Sequence, residues 1–368
     1  MGLSVGIVGL PNVGKSTLFN ALLQSAKASA ANYPFCTIEP NLGTVEVPDP
    51  RLYKIAELEK SKKITPTFIE FVDIAGLVRN ASKGEGLGNQ FLAHIREVDA
   101  IAMVLRCFED PDVVHVEGGV DPVRDAQIID LELIAKDIET VEKRLEKVGK
   151  LSRLGDKRAK EEESRLLKLK SLLENMEPIR KHRDKLSEED TLYAEKALFL
   201  LTSKPLMYVA NVGEKDLPEG NEHSTRVLEY AEKEGTPAVV LCAKLEEELI
   251  GLEREEKEEL LRSYGLEEPG LNKLIREAYR LLKLVTFFTA GEKETRAWTV
   301  KKGTKAPQAA GRIHSDFERG FIAAEVIGYE DYIRVGSMSK AKEMGLLRLE
   351  GREYEVRDGD IVYFRFNV

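Results

Sequence analysis

The stretch Gly9-Leu10-Pro11-Asn12-Val13-Gly14-Lys15-Ser16 decides the fold of this chain. It fits the spacing GxxxxGK[ST], follows an apolar run at Leu3 to Val8 that reads as a buried strand, and opens a helical segment at Lys15 to Ala26. In that setting glycines let successive backbone N–H groups curl around phosphate oxygens, and the helix N-terminus adds a positive dipole. The pattern is that of a phosphate-binding P-loop. Lys15 is expected to reach the β- and γ-phosphates and Ser16 to ligate Mg²⁺. Asn12, Val13, Gly14 and Thr17 would complete the phosphate cradle.

Strand and helix alternate outward from this loop. Thr67 to Val72 reads as strand, Gln90 to Val98 as helix and Ala100 to Cys107 as strand. The alternation resumes at Leu206 to Val212, Ser224 to Glu234, Ala238 to Cys242 and a helix from Leu271 to Val285. It predicts an α/β fold with a doubly wound, mostly parallel sheet. Between the halves, Leu131, Ile134, Ile138, Val141, Leu145 and Val148 recur at spacings of 3 and 4, and Leu166, Leu169, Leu173 and Met176 repeat the pattern after Gly155-Asp156. Two helices of this kind should pair as an antiparallel coiled-coil hairpin. Ser187 with Asp190 resembles a capping box and would start a third helix running to about Leu201. From about residue 286, short β-rich runs at Arg296 to Val300 and Ile361 to Phe366, with a helix at Ala306 to Asp316, suggest a small α+β domain. The expected division is a nucleotide-binding domain in two parts, 1–127 and 203–285, a helical insertion at 128–202 and a C-terminal domain at 286–368.

Composition narrows the class. With 42% apolar and 32% charged residues the chain is globular, and no apolar run approaches the length of a membrane span. Cys36, Cys107 and Cys242 stand far apart, which excludes a disulfide framework and favours a reducing cytoplasm. The net charge of −9 is uneven. Residues 141 to 170 hold 11 Lys and Arg against 6 Asp and Glu, whereas residues 244 to 268 hold 4 against 10. A basic arm on an acidic protein points to a polyanionic partner or to a solvated hairpin.

Asp73-Ile74-Ala75-Gly76 follows a strand and has the DxxG form of nucleotide switches. In that role Asp73 holds Mg²⁺ through water and the Gly76 amide bonds the γ-phosphate. Thr37 lies between the first helix and the second strand, where a switch threonine would ligate Mg²⁺.

Several long motifs together resemble the Obg-like ATPase or YchF family: GLPNVGKST at 9–17, NYPFCTIEPN at 32–41, FVDIAGLV at 71–78, SKGEGLGNQFL at 82–92 and DGDIVYFRFNV at 358–368. The resemblance covers the whole chain. It implies a translation-factor-related P-loop fold with a coiled-coil insertion, a C-terminal TGS domain of β-grasp fold, a preference for ATP, and a ribosome or other RNA-rich partner.

The residues indicate why base choice should differ from that of GTPases. Where those enzymes carry NKxD, this chain has Asn211-Val212-Gly213-Glu214. A carboxylate placed for guanine N1–H would repel the acceptor at adenine N1, and Glu214, longer than Asp and preceded by glycine, need not aim there. Cys242-Ala243-Lys244 resembles the loop over the base. Asn211, Val212, Glu214, Cys242 and Ala243 are therefore the expected base-side contacts, with ATP bound more tightly than GTP. A GTP-specific switch, a small-molecule kinase and a nucleotide-holding nucleic-acid-binding module are the competing readings.

Leu77 stands where a Ras-type switch has a water-orienting glutamine. A substitute is needed for hydrolysis, and His115 is the first choice, His94 the second. Arg96 and Arg106 are candidate arginine fingers in cis, and bound K⁺ is another way to supply charge. A monomer is expected.

Overall fold

The computed structural model describes residues 3–30, 38–39, 41–74, 86–110 and 119–367. Among the described residues, eight strands precede the C-terminal region: β1 (Ser4–Val8), β2 (Ile38–Glu39), β3 (Leu42–Glu46), β4 (Ile64–Thr65), β5 (Phe68–Asp73), β6 (Ala100–Arg106), β7 (Leu206–Asn211) and β8 (Ala238–Leu241). Seven form one sheet in the order β2-β3-β5-β1-β6-β7-β8. β1 pairs in parallel with β5 on one side and β6 on the other, and β7 and β8 extend the parallel run. Every residue of β6 and β7 is buried, as continuous apolar runs in a covered parallel sheet should be. Parallel strands bring their carboxyl ends to one edge. In this sheet the edge gathers Val8, Asp73, Arg106 and Asn211.

The α/β fold expected from the sequence is present. The helix after β1 runs Lys15–Ala30, and the helix before β6 runs Gly86–Glu97. The helix expected to reach Val285 stops at Leu281, because the chain turns at Lys283, whose φ is +54°, into a strand at Leu284–Thr289.

The insertion contains a 32-residue helix, Pro122–Arg153, and a second helix, Lys157–Glu174. Ile134, Val141, Val148, Leu166, Leu169 and Leu173 share one buried cluster. Both ends of the sequence periodicity fall outside it: Leu131 and Met176 are exposed, Met176 lying beyond the end of its helix with φ +59°. The third helix is shorter than expected. Ser187 caps the segment Glu188–Leu192 by accepting from the Asp190 amide, and the chain then widens into a π-turn at Tyr193–Ala197. The Asp190 carboxylate goes instead to Arg165 and Lys168, which breaks the reciprocal capping box.

A second compact unit gathers residues 44–69 with the chain from Tyr279 onward. Its strands β9 (Leu284–Thr289), β10 (Thr295–Lys301), β11 (Phe321–Gly328), β12 (Arg348–Glu350) and β13 (Asp360–Phe366) join β4 in the order β12-β11-β13-β9-β10-β4. Successive residues of a strand face opposite ways. Phe287 accordingly packs with Ala310, Phe321 and Phe364, while Phe288 packs with Leu52, Ile55 and Tyr332. Helix Pro50–Glu59, unplaced by the sequence reading, covers that second face. Asp49 caps it by accepting from the Arg51 amide at 3.0 Å, and Arg51 also pairs with Asp358 at 2.7 Å. The expected helix at Ala306 to Asp316 is two, Ala306–Ile313 and Ser315–Arg319.

At the base of the insertion the fully buried Asp137 accepts from the Leu201 and Thr202 amides, each at 2.8 Å, and from the Thr202 hydroxyl at 2.6 Å. Burial outweighs these bonds and raises its pKa from 3.8 to about 6. Between those values the folded chain keeps a proton that the unfolded chain has released. This group's contribution to stability therefore falls as pH rises through that window. Urea unfolding of the wild type and of Asp137→Asn at pH 4 and pH 7 should show the wild type losing about 2–3 kcal/mol relative to the variant on going to pH 7. A constant difference between the two would contradict this assignment.

Candidate functional site

The loop between β1 and the Lys15 helix is shaped by what cannot fit there. A Cβ on Gly9 would lie 2.8 Å from Val13 Cγ2 and 2.9 Å from the Val104 carbonyl oxygen. Gly14 has φ +88°, and a Cβ on it would stand 2.1 Å from Asn211 Nδ2. Asn12 holds φ +64°, a left-handed conformation that Asn tolerates better than most side chains. The chain thus curls tightly into the helix, whose first turn carries no acidic side chain to oppose an anion.

Around this loop opens a cleft of about 1530 Å³. Asn12, Gly14, Lys15, Ser16 and Thr17 line it, together with Asn211, Val212, Glu214, Cys242 and Ala243. Val13, the remaining expected loop residue, is buried and contributes its carbonyl to the framework. Thr37, Gly76, Leu77 and His115 lie outside the described residues.

Lys15 Nζ pairs with the Asp73 carboxylate, and both side chains are largely shielded. Residues 58 apart meet because β1 and β5 run in parallel, with Ile7 opposite Asp73. The structure thus brings together the cation expected at the phosphates and the carboxylate expected near the metal. Among the described residues, no group of three or more His, Cys, Asp and Glu could hold a metal ion. Ser16 and Asp73 offer a hydroxyl and a carboxylate, hard oxygen donors that suit Mg²⁺ keeping several waters.

Asn211 ends β7 and is buried. Its Nδ2 donates to the Val13 carbonyl at 2.9 Å, and its Oδ1 accepts from the Ala243 amide at 2.9 Å. One side chain therefore ties the phosphate loop to the loop after β8. Sequence reading placed Asn211 at the base; the structure adds this bridging task. Glu214 accepts from Lys244 at 2.7 Å and from the Tyr264 hydroxyl at 3.3 Å, so each carboxylate oxygen is engaged. Cys242 is buried, and burial raises its thiol pKa.

Neither candidate arginine is among the described residues lining the cleft. Arg106 is buried, donates to the Phe108 and Asp110 carbonyls at 3.1 and 3.3 Å, and lies over the Phe108 ring. It shapes the loop that supplies Phe108, Glu109 and Asp110 to the cleft. Arg96 donates to Thr140 at 3.2 Å. His94 is half-buried and is not among the described residues lining the cleft. Sequence reasoning missed Phe108, Ile128, Glu132 and Tyr264, which come from segments without a nucleotide motif.

A family model described as "50S ribosome-binding GTPase" matches residues 4–148, and YchF-GTPase_C, described as "Protein of unknown function (DUF933)", matches residues 284–367. The chain is 56% identical to the Ribosome-binding ATPase YchF of Bacillus subtilis and 55% identical to that of Haemophilus influenzae, covering all of both chains in each case. The solved structure of the Schizosaccharomyces pombe YchF GTPase superposes with a TM-score of 0.89 at 40% identity, covering 99% of this chain and 98% of that one.

Replacing the bridging amide should loosen the whole edge. Asn211→Ala leaves the Val13 carbonyl and the Ala243 amide unpaired, at a cost of about 2–4 kcal/mol. Asn211→Asp keeps an acceptor for Ala243 but sets a buried carboxylate against the Val13 carbonyl oxygen, so it should cost at least as much. Urea midpoints of both variants are expected below that of the wild type; an Ala variant as stable as wild type would show that the bridge carries no weight.

Proposed function

Because this chain belongs to the YchF family, we propose that its cleft binds ATP with Mg²⁺ and hydrolyses it as a conformational switch acting on the ribosome. The relatives named Ribosome-binding ATPase support the partner and the reaction. The observation that carries the choice of base is Glu214 drawn to Lys244 and Tyr264. Held there, the carboxylate is not free to receive the guanine N1–H and N2–H₂ donors, and adenine meets no opposing acceptor. GTP remains the second reading, favoured by the name of the fission-yeast relative.

In this reading the amides of the glycine loop bind the phosphate oxygens, and Lys15 leaves Asp73 to neutralise the β- and γ-phosphates. Ser16, Thr37 and Asp73 would hold Mg²⁺, which supplies further charge stabilisation when bound. Gly76 would bond the γ-phosphate and His115 would orient the attacking water. K⁺ is an alternative source of charge. The insertion at 128–202 serves as a coiled-coil arm whose basic residues approach RNA, and residues 286–368 serve as a TGS domain. A cytoplasmic monomer suits this work. No helix among the described residues is long and apolar enough to cross a membrane.

Calorimetric titration under one Mg²⁺ and salt condition should give tighter binding of ATP than of GTP. Equal affinities, or a tenfold preference for GTP (about 1.4 kcal/mol), would reverse the base assignment. In the same series Lys15→Ala should lose affinity and hydrolysis while its circular dichroism stays unchanged.

For the water, His115→Ala should lower turnover by about 10²–10⁴-fold and leave ATP affinity within a few-fold. Normal hydrolysis by this variant would remove the histidine from the mechanism.

A further inference from the structure

The long insertion helix Pro122–Arg153 sends two side chains into the cleft, Ile128 and Glu132. They stand four residues apart and so share one face of the helix. Their neighbours Asp125, Ile129 and Leu133 are buried in the protein interior. Glu132 Oε2 is itself buried and has no hydrogen-bond partner among the described residues. A carboxylate oxygen removed from water without a donor is costly, and an unsatisfied group of this kind calls for an explanation. Three lysines line the cleft: Lys15 is occupied by Asp73, Lys244 by Glu214, and Lys215 makes no hydrogen bond to Glu132 Oε2.

We propose that Glu132 is a ligand-contacting residue, its carboxylate turning from this enclosed position into the cleft to accept a hydrogen bond from a neutral donor on the nucleoside part of the bound nucleotide. The donor is a sugar hydroxyl or the exocyclic amine of the base. A carboxylate repels phosphate oxygens, which the glycine loop and Lys15 are placed to serve, so its complement is an O–H or N–H group. Ile128, one turn away, offers apolar surface to the same moiety. The contact would be made by the helix that carries the insertion outward, so nucleotide occupancy would bear directly on that helix. This inference rests on the nucleotide reading of the cleft.

The test is calorimetric titration of the wild-type chain, Glu132→Ala and Glu132→Gln with ATP, 2′-deoxy-ATP, 3′-deoxy-ATP and purine riboside triphosphate. Glu132→Ala should weaken ATP by about ten- to a hundredfold, as loss of a hydrogen bond to a charged group does, and Glu132→Gln by less. The analogue lacking the recognised donor should bind the wild type as weakly, and the Ala substitution should weaken it no further. A deoxy analogue behaving this way identifies the sugar; purine riboside triphosphate identifies the base amine. The nucleotide-free variants should melt no lower than the wild type, which a structural role for Glu132 would not allow. Unchanged ATP binding by Glu132→Ala, or an equal loss with all four ligands, overturns the proposal. Wild-type protein that binds none of them overturns the nucleotide reading as well, and Lys15→Ala binding ATP at full strength points to that reading rather than to Glu132.

Discussion

The cleft is held in register by one buried side-chain amide. Asn211 donates a hydrogen bond to the Val13 carbonyl and accepts one from the Ala243 amide, joining the ends of β1, β7 and β8 at the carboxyl edge of the sheet. Only a side chain with both a donor and an acceptor can do this. Aspartate lacks the donor, and a hydroxyl is too short to span the gap that Asn fills. The absent Cβ of Gly14 belongs to the same arrangement, since any side chain there would strike Nδ2. The glycine loop and the loop after β8 are therefore not independent features. They meet at a shared hydrogen-bonding partner, and the walls of the cleft are built outward from it.

Buried charge performs a comparable task at the root of the insertion. Asp130 pairs with Arg180 in an almost fully enclosed contact, and Asp137 caps the short turn at Leu201–Ser203. Burying such groups is expensive, so their value lies in admitting one geometry rather than in raw stability. The helix they fix is about 48 Å long at 1.5 Å per residue. Its proximal turns reach the nucleotide cleft through Ile128 and Glu132, and its distal turns carry the heptad seam. One continuous helix therefore spans both regions.

The C-terminal unit shows how a sheet recruits covering from far along the chain. Phe287 and Phe288 must face opposite ways, so two apolar cores are needed. Helices that follow in sequence cover one face, and residues 50–59 contribute to the other. Signals for that helix stand in the sequence, with Asp49 at the cap and Pro50 in the first turn. Its destination does not, because nothing local tells an amphipathic helix which sheet it will cover. The contacts Arg51–Asp358 and Tyr332–Glu59 span 307 and 273 residues.

Short-range chemistry was enough to specify the strand, glycine loop and helix around Lys15, the parallel α/β plan and the paired helices of the insertion. Each depends on backbone freedom, periodicity or capping within a few residues, and those signals are written where they act. The heptad reading overran at Leu131 and Met176 because spacing alone does not reveal where a partner helix ends. The pairing of Lys15 with Asp73, the withdrawal of Glu214 to Tyr264, the burial of Arg106 and the entry of Glu132 into the cleft were decided by tertiary structure. The reason is geometric: which donor meets which acceptor across 58 or 198 residues is set by the parallel register of β1 with its neighbours, and that register exists only once the sheet has closed.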